Sequence, residues 1–197
     1  MTAHTMTDFI SAHEALFSTY TGWCDDFGVD DLSTQSLCPD WDVRGVIAHA
    51  LGVETVLDGW TPSTENPPPF GKMGDFAAEL SDLAPDALAA RIAKVTASRL
   101  DHLRSLGPEA ADEPSITPTG VRTYGDFLRI RVFDLWVHAH DIAIPLARPL
   151  ALGRVADELA LHEVAGAIGY IVGKKVGLPD GRSAVVHVTG EVERDLA

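Results

Sequence analysis

The stretch FLRIRVFDLWVHAHDIAI, residues 127–144, carries the strongest structural signal in this 197-residue chain. It is apolar on most of its faces, which is typical of a helix buried in a protein core. One stripe is polar, because Arg131, Asp134, His138 and Asp141 follow one another at spacings of three, four and three residues. Residues at these spacings share one face of an α-helix. The stretch therefore predicts a buried helix with one polar face.

The polar face needs an explanation, because an ionised carboxylate without a partner is costly to bury. Three explanations are open at this point: an ion pair between Arg131 and Asp134 in the core, a face exposed to solvent, or a bound metal ion. A pair of the form Asp-x-x-x-His occurs by chance often enough that the stripe alone does not choose among them.

A histidine on a second helix favours the metal. This helix is predicted to begin near Asp42, a good N-cap, and to carry an apolar stripe to residue 57, with His49 on the flank of that stripe. A single histidine there is more often a core residue than a ligand. However, one His from one helix and an i, i+4 carboxylate–His pair from another form an arrangement that helical bundles use for metals. The pattern therefore favours a divalent-metal site at His49, Asp134 and His138, with a coordination position left open, as in catalytic sites.

Two other histidines, His140 and His13, are further candidate ligands. His140 follows His138 by two residues, a rotation of roughly 200° on a helix, so the two rings should point in nearly opposite directions. We interpret His140 as a surface or helix-contact residue. His13 lies on the predicted first helix, where it could face the bundle interior.

Apolar periodicity, caps and breakers predict the remaining elements. Besides the two helices above, at 42–57 and 123–144, helices are predicted at 7–27, 85–106 and 152–176, and one strand at 183–189. The segments 30–41 and 61–74, and the stretch through Pro114, Pro118 and Gly120, are predicted to be loops. The fold class is therefore all-α, a bundle with an additional C-terminal helix and a short terminal strand.

The composition of the chain indicates which classes of binding partner and which compartment to expect. The chain has 15 Lys plus Arg against 29 Asp plus Glu, a formal net charge of −14. Such a surface repels nucleic acid and anionic membranes, so neither is expected as a partner. The expected partner is a small-molecule substrate, and the oligomeric state is left open, with a homodimer as one option. Cys24 and Cys38 match no CxxC motif and are predicted to be free thiols in a reducing compartment. Without a signal peptide or an apolar run of about 18 residues, the chain is predicted to be cytoplasmic.

Two blocks of this sequence resemble a known family. PDWDVRGVIAHALGVE (residues 39–54) and FDLWVHAHDIA (residues 133–143) are similar to the two signatures of the mycothiol-dependent maleylpyruvate isomerase N-terminal domain family. The resemblance covers about residues 7–178 and implies a DinB-like four-helix bundle. It also implies a divalent metal, zinc or alternatively nickel, with ligands that fall by position on His49, Asp134 and His138. Asp141 and Arg131 are expected to contact and orient these ligands.

The chain departs from the resemblance in two places. Asp134 stands where the isomerases have Glu, which is one methylene longer. The isomerases also carry a C-terminal α/β domain, and LPDGRSAVVHVTG, residues 178–190, resembles only its first strand. The prediction is therefore a helical metal-binding domain at 1–178, followed at 179–197 by the start of an incomplete α/β domain.

The resemblance also implies a function. It indicates a metal-dependent enzyme in which a thiol, mycothiol or a similar cosubstrate, reacts with a small electrophile, as in a transferase or an isomerase. The pocket is expected beneath the loop at Pro67–Pro69, and no catalytic side chain is assigned. The alternative is a helical module that binds a metal or ligand without turnover, as a sensor or a partner-binding protein.

Overall fold

The computed structural model describes residues 4–196, and most of them are helical. The helices are α1 (Met6–Asp26), α2 (Val29–Leu32), α3 (Val43–Leu57), α4 (Met73–Ser81), α5 (Pro85–Ser105), α6 (Tyr124–Ala143) and α7 (Arg154–Tyr170), which a π-helical segment continues (Ile171–Val176). The strands are β1 (Pro114–Thr117), β2 (Gly120–Thr123), β3 (Val186–Val188) and β4 (Arg194–Leu196). The predicted mainly helical fold is confirmed.

The five predicted helices are present as α1, α3, α5, α6 and α7, and their boundaries are close to those expected. Their start signals work as the sequence indicated. Asp42 caps α3 by accepting a hydrogen bond from the backbone of Gly45, and Thr123 and Asp126 cap α6 in a reciprocal capping box. These caps fix where the two helices that carry the polar residues begin.

Short elements lie in segments that were predicted to be loops. Helix α2 falls within 30–41 in part, α4 begins at Met73 inside the predicted loop 61–74, and β1 pairs with β2 in an antiparallel hairpin that leads into α6. Helix α4 exists because Phe76 and Leu80 are buried against the bundle. The Phe76 ring packs against Gly52 of α3. Elements this short hold few apolar residues, so periodicity does not reveal them.

Helix α6 lies at the centre of the bundle and contacts α1, α3 and α7, while α1 also packs along α5. Leu135, Ala139 and Ile142 are fully buried on α6. The buried hydroxyl of Tyr20 on α1 donates to the carbonyl of Leu135 at 3.0 Å, which ties the two helices together. Within residues 4–196, no helix is both long and apolar enough to cross a membrane.

The C-terminal segment forms a second hairpin, in which β3 pairs antiparallel with β4. β3 lies within the strand predicted at 183–189, whereas β4 was not predicted. Val192 and Leu196 are buried, so the hairpin packs against other parts of the chain. That residues 179–197 begin an α/β domain stays a prediction.

A buried ion network joins three helices of the bundle. Glu54 of α3 accepts from Arg99 Nε of α5 at 3.0 Å and from Arg131 Nε of α6 at 2.9 Å. The side chains of Glu54 and Arg99 are 0% exposed and that of Arg131 is 7% exposed. Burial alone would raise the pKa of Glu54, but the two guanidinium groups outweigh burial and lower it. One carboxylate therefore holds α3, α5 and α6 in register.

A buried histidine lies near this network. His13 of α1 is fully buried, and its Nδ1 lies 2.7 Å from the carbonyl of Phe9, which can only accept, so Nδ1 carries the proton. Nε2 then bears a lone pair, and it has no hydrogen-bond partner in the described part of the chain. Burial lowers the pKa of His13 to about 4, although the charge of Glu54 opposes this shift. The interpretation that His13 faces the bundle interior is confirmed.

We predict that Glu54→Gln destabilises the protein by about 3 kcal/mol, because removing one partner of a buried ion network leaves the other charges uncompensated. Urea unfolding measures the loss. Glu79→Gln is the matched control, because Glu79 pairs with Arg91 at the surface, where ion pairs contribute little. Equal, small losses in both variants would contradict the role given to Glu54.

We predict that His13 makes the protein sensitive to acid. Below pH 6.5 the unfolded chain protonates this histidine while the folded protein does not, so stability is lost as pH falls from about 6.5 towards 4. The loss between pH 7.5 and pH 5 amounts to about 2 kcal/mol. Urea unfolding at both pH values should give a difference that is smaller by this amount in His13→Leu. The same pH dependence in both proteins would show that His13 titrates normally.

Candidate metal centre

Three of the predicted residues converge on one point between α3 and α6. The Nε2 atoms of His49 and His138 lie 4.0 Å and 3.8 Å from Oδ1 of Asp134. One ligand atom from each residue lies within 4.8 Å of the other two. Ligand atoms about 2.0–2.2 Å from a shared zinc ion are up to about 4 Å apart, so small side-chain adjustments would let this donor set hold a divalent cation.

Asp134 is shared between this cluster and the core. Its Oδ2 accepts from Arg131 Nη1 at 2.9 Å, so the ion pair considered from the sequence exists beside the histidine cluster rather than in its place. Burial alone would raise the pKa of Asp134, but the Arg131 charge, aided by His49 and His138, outweighs burial and holds the pKa below its usual value. Asp134 is therefore a carboxylate, with Oδ1 turned to the histidines.

The site is open to solvent on one side. The side chains of His49 and Asp134 are 30% and 27% exposed, whereas that of His138 is 12% exposed. The solvent-exposed explanation of the polar face is thus correct in part. Such exposure leaves room for a further ligand from solution.

Asp141 orients the second histidine. Its Oδ2 lies 2.9 Å from Nδ1 of His138, and a carboxylate can only accept, so Nδ1–H donates. The lone pair of His138 then lies on Nε2, which faces Asp134. Histidine ligands of metals commonly have their other ring nitrogen fixed by a carboxylate in this way.

Sequence reasoning missed two residues of the site. Cys38 Sγ lies 3.2 Å from Asp141 Oδ2 and 3.9 Å from His138 Nδ1, and burial together with Asp141 raises the pKa of this thiol. No local spacing reveals Cys38, because 100 residues separate it from His138. Trp41 stacks on His49 with ring centroids 4.7 Å apart. It belongs to the first of the two family-like blocks, which was a usable signal.

His140 lies outside the cluster, as its rotation on the helix predicts. Its Nδ1 donates to the carbonyl of Trp136 at 2.8 Å, and the two rings lie 4.1 Å apart. Cys24 and Cys38 are both free thiols, with Cys24 buried in α1.

A cavity of about 490 Å³ adjoins His49 and Trp41. Its remaining wall comes from α3 and α4, with Ala48, Met73 and Ala77 supplying apolar surface. The cavity beside His49 is covered by α4, the helix that follows the Pro67–Pro69 loop. A separate cavity of about 390 Å³ lies against Pro69, and His49 is not part of its wall. That the substrate pocket lies beneath this loop stays a prediction. The cavity beside His49 exists because residues 73–81 are helical and bury Phe76, which the sequence did not predict.

The comparisons with known proteins agree with this architecture. Two solved structures, one of the mycothiol-dependent maleylpyruvate isomerase and one of a histidine-to-alanine mutant of it, match with TM-scores of 0.64 and 0.63. Both are 20% identical to this chain, and the match covers 85% of this chain and 72% of theirs. At this identity the likeness confirms the fold, a DinB-like helical bundle.

Sequence comparison adds the family. A search of curated protein sequences gives no significant match. The profile described as mycothiol maleylpyruvate isomerase N-terminal domain matches residues 14–143, a range that includes all three converging residues. Since this match spans more than half of the chain, the protein belongs to the mycothiol maleylpyruvate isomerase N-terminal domain family.

Proposed function

We propose that this protein is a metal-dependent enzyme in which a small thiol, mycothiol or a close analogue, reacts with a small electrophile, as a transferase or an isomerase. The observation that carries the proposal is the convergence of ligand atoms from His49, Asp134 and His138 within 4.8 Å, in a chain of this family. Two solved relatives of the same fold are named as mycothiol-dependent maleylpyruvate isomerase, which supports a thiol as the cosubstrate.

The donor set favours a borderline divalent cation. Two imidazoles and one carboxylate suit zinc, and nickel is the alternative. His138 would bind through Nε2, because its Nδ1 is committed to Asp141. Asp134 would bind through Oδ1 alone, because Oδ2 is committed to Arg131. Each protein ligand thus supplies one atom, which leaves coordination positions for other molecules.

A divalent cation, when bound, lowers the pKa of a coordinated thiol well below its free value of about 8.5. Side chains around the cluster keep its ligands in the required state and leave it accessible. Arg131 keeps Asp134 ionised, and the exposed edges of His49 and Asp134 admit a ligand from solution. The neighbouring cavity has apolar walls from Ala48, Met73 and Ala77, so it suits a small electrophile with an apolar part.

The alternative function is metal or ligand binding without turnover. One observation favours it: Arg131 neutralises Asp134 without any metal, so the cluster is electrostatically satisfied as it stands. A sealed site would support this alternative, whereas the 30% exposure of His49 favours an exchangeable ligand. The two proposals differ in whether an external thiol reaches the metal.

We predict about one equivalent of zinc or nickel per chain in protein purified without a histidine tag. Elemental analysis measures it. His138→Ala should lose the metal, because it removes one of three ligands. His140→Ala is the matched control and should retain the metal, since its ring lies against Trp136. Protein that takes up no divalent metal on reconstitution would refute the site.

We predict that thiols bind at the metal. In protein loaded with cobalt, titration with mycothiol or a simpler thiol should produce a sulfur-to-metal charge-transfer band. The band should be absent from His49→Ala, which lacks one ligand. If no thiol perturbs the cobalt spectrum at millimolar concentration, the thiol mechanism fails and binding without turnover becomes the better proposal.

A further inference from the structure

The loop at residues 33–42 bridges the two helices that carry the site. At one end Trp41 stacks on His49 of α3. In its middle, the backbone N–H of Leu37 donates to the carbonyl of Asp141 of α6 at 3.2 Å. The loop therefore contacts His49 directly and Asp141, the partner of His138. None of the loop residues belongs to the cluster of His49, Asp134 and His138.

The loop is held rigid by its own polar side chains. Gln35 Nε2 donates to the carbonyls of Cys38 and Trp41, each at 2.8 Å. Ser36 Oγ donates to the carbonyl of Trp41 at 2.6 Å and accepts from the backbone N–H of Cys38 at 3.0 Å. These contacts fix the conformation of the loop around Cys38, and the Leu37–Asp141 hydrogen bond holds this part of the loop against α6.

From this position the thiol of Cys38 reaches Asp141. Its Sγ donates to Asp141 Oδ2 at 3.2 Å, the same oxygen that accepts from His138 Nδ1 at 2.9 Å. Asp141 thus receives three hydrogen bonds: one from the His138 ring, one from the Cys38 thiol, and one at its carbonyl from Leu37. Two of the three come from the loop.

We propose that Cys38 is a positioning residue for His138. Its S–H holds the Asp141 carboxylate, and the carboxylate holds the proton of His138 on Nδ1, so that the Nε2 lone pair faces Asp134 and His49. This inference rests on the proposed function for its purpose, because a metal needs that lone pair, but the hydrogen-bond chain itself exists without a metal.

The competing hypothesis is that Cys38 itself coordinates a metal ion. Cys38, His138 and Asp141 also bring one ligand atom each within 4.8 Å of one another. The distances favour hydrogen bonds, because 2.9 Å between His138 Nδ1 and Asp141 Oδ2 is the length of a direct charge-assisted hydrogen bond. A cation between these atoms would need them farther apart.

The test uses Cys38→Ala, which removes the donor, and Cys38→Ser, which keeps a donor. In metal-free protein, the ¹⁵N spectrum of His138 should show a proton on Nδ1 alone for the wild type and for Cys38→Ser. Cys38→Ala should give a mixture of tautomers, because the Asp141 carboxylate, without the S–H donor, is free to turn away from His138. Metal affinity, measured by competition with a chelator, should fall about tenfold in Cys38→Ala and recover in Cys38→Ser, in line with the effect of partners that orient metal ligands. Cys24→Ala, which changes the other thiol, should leave the tautomer unchanged.

Two results would overturn the positioning role. One is a Cys38→Ala protein whose His138 tautomer matches the wild type. The other is a sulfur-to-cobalt band in the wild type without added thiol that disappears in Cys38→Ser, which would make Cys38 a ligand. The tautomer experiment contains no metal, so a failure of the proposed function would leave its outcome unaffected.

Discussion

The carboxylate of Glu54 is the constraint around which the site is built. A charge with no exposed surface is tolerated only when its lone pairs are matched, and Glu54 is matched by one guanidinium from α5 and another from α6. Arg131 is thereby fixed between Glu54 and Asp134, to which it donates through different nitrogens. The position of Asp134, which is itself 27% exposed, is thus set by a charge network that is anchored in the core.

This arrangement gives the two oxygens of Asp134 different tasks. Oδ2 belongs to Arg131, and only Oδ1 faces the histidines. A carboxylate that shares its charge with arginine is a weaker donor than a free one. Asp is also one methylene shorter than the Glu that the family resemblance leads us to expect, so the proposed cation would lie closer to α6. Both effects predict that the affinity of this site for a metal depends more on the orientation of the two histidines than on the basicity of the carboxylate.

The residues of the candidate metal centre differ in how far their positions depend on local sequence, and this decides which of them the sequence could predict. The spacing of Asp134, His138 and Asp141 on one helix is a local property, so periodicity revealed it. His49 needed the comparison of two helices, which the bundle motif supplied. The sequence could not predict that Cys38 lies beside Asp141 and His138, because this proximity depends on a loop of irregular backbone that approaches α6 through tertiary contacts alone.

The same distinction applies to the fold. Long helices with caps and apolar stripes were predicted with nearly correct ends, because those signals are local. Helix α4 was missed because its length offers only two buried side chains, Phe76 and Leu80, and its stability depends on tertiary packing against α3. Arg99 was missed as a core residue, because only the position of Glu54 opposite it makes its burial tolerable.

The balance of charges bears on whether a metal here serves structure or chemistry. Glu54, Arg99, Arg131 and Asp134 sum to zero, and each is paired within the network. Structural zinc sites are closed and contribute directly to folding. In this bundle the charges of the network compensate one another, and two of the three converging side chains are partly exposed. The open side of the cluster therefore supports, for the proposed metal, a position at which ligands exchange, which is what a reaction with an external thiol would require.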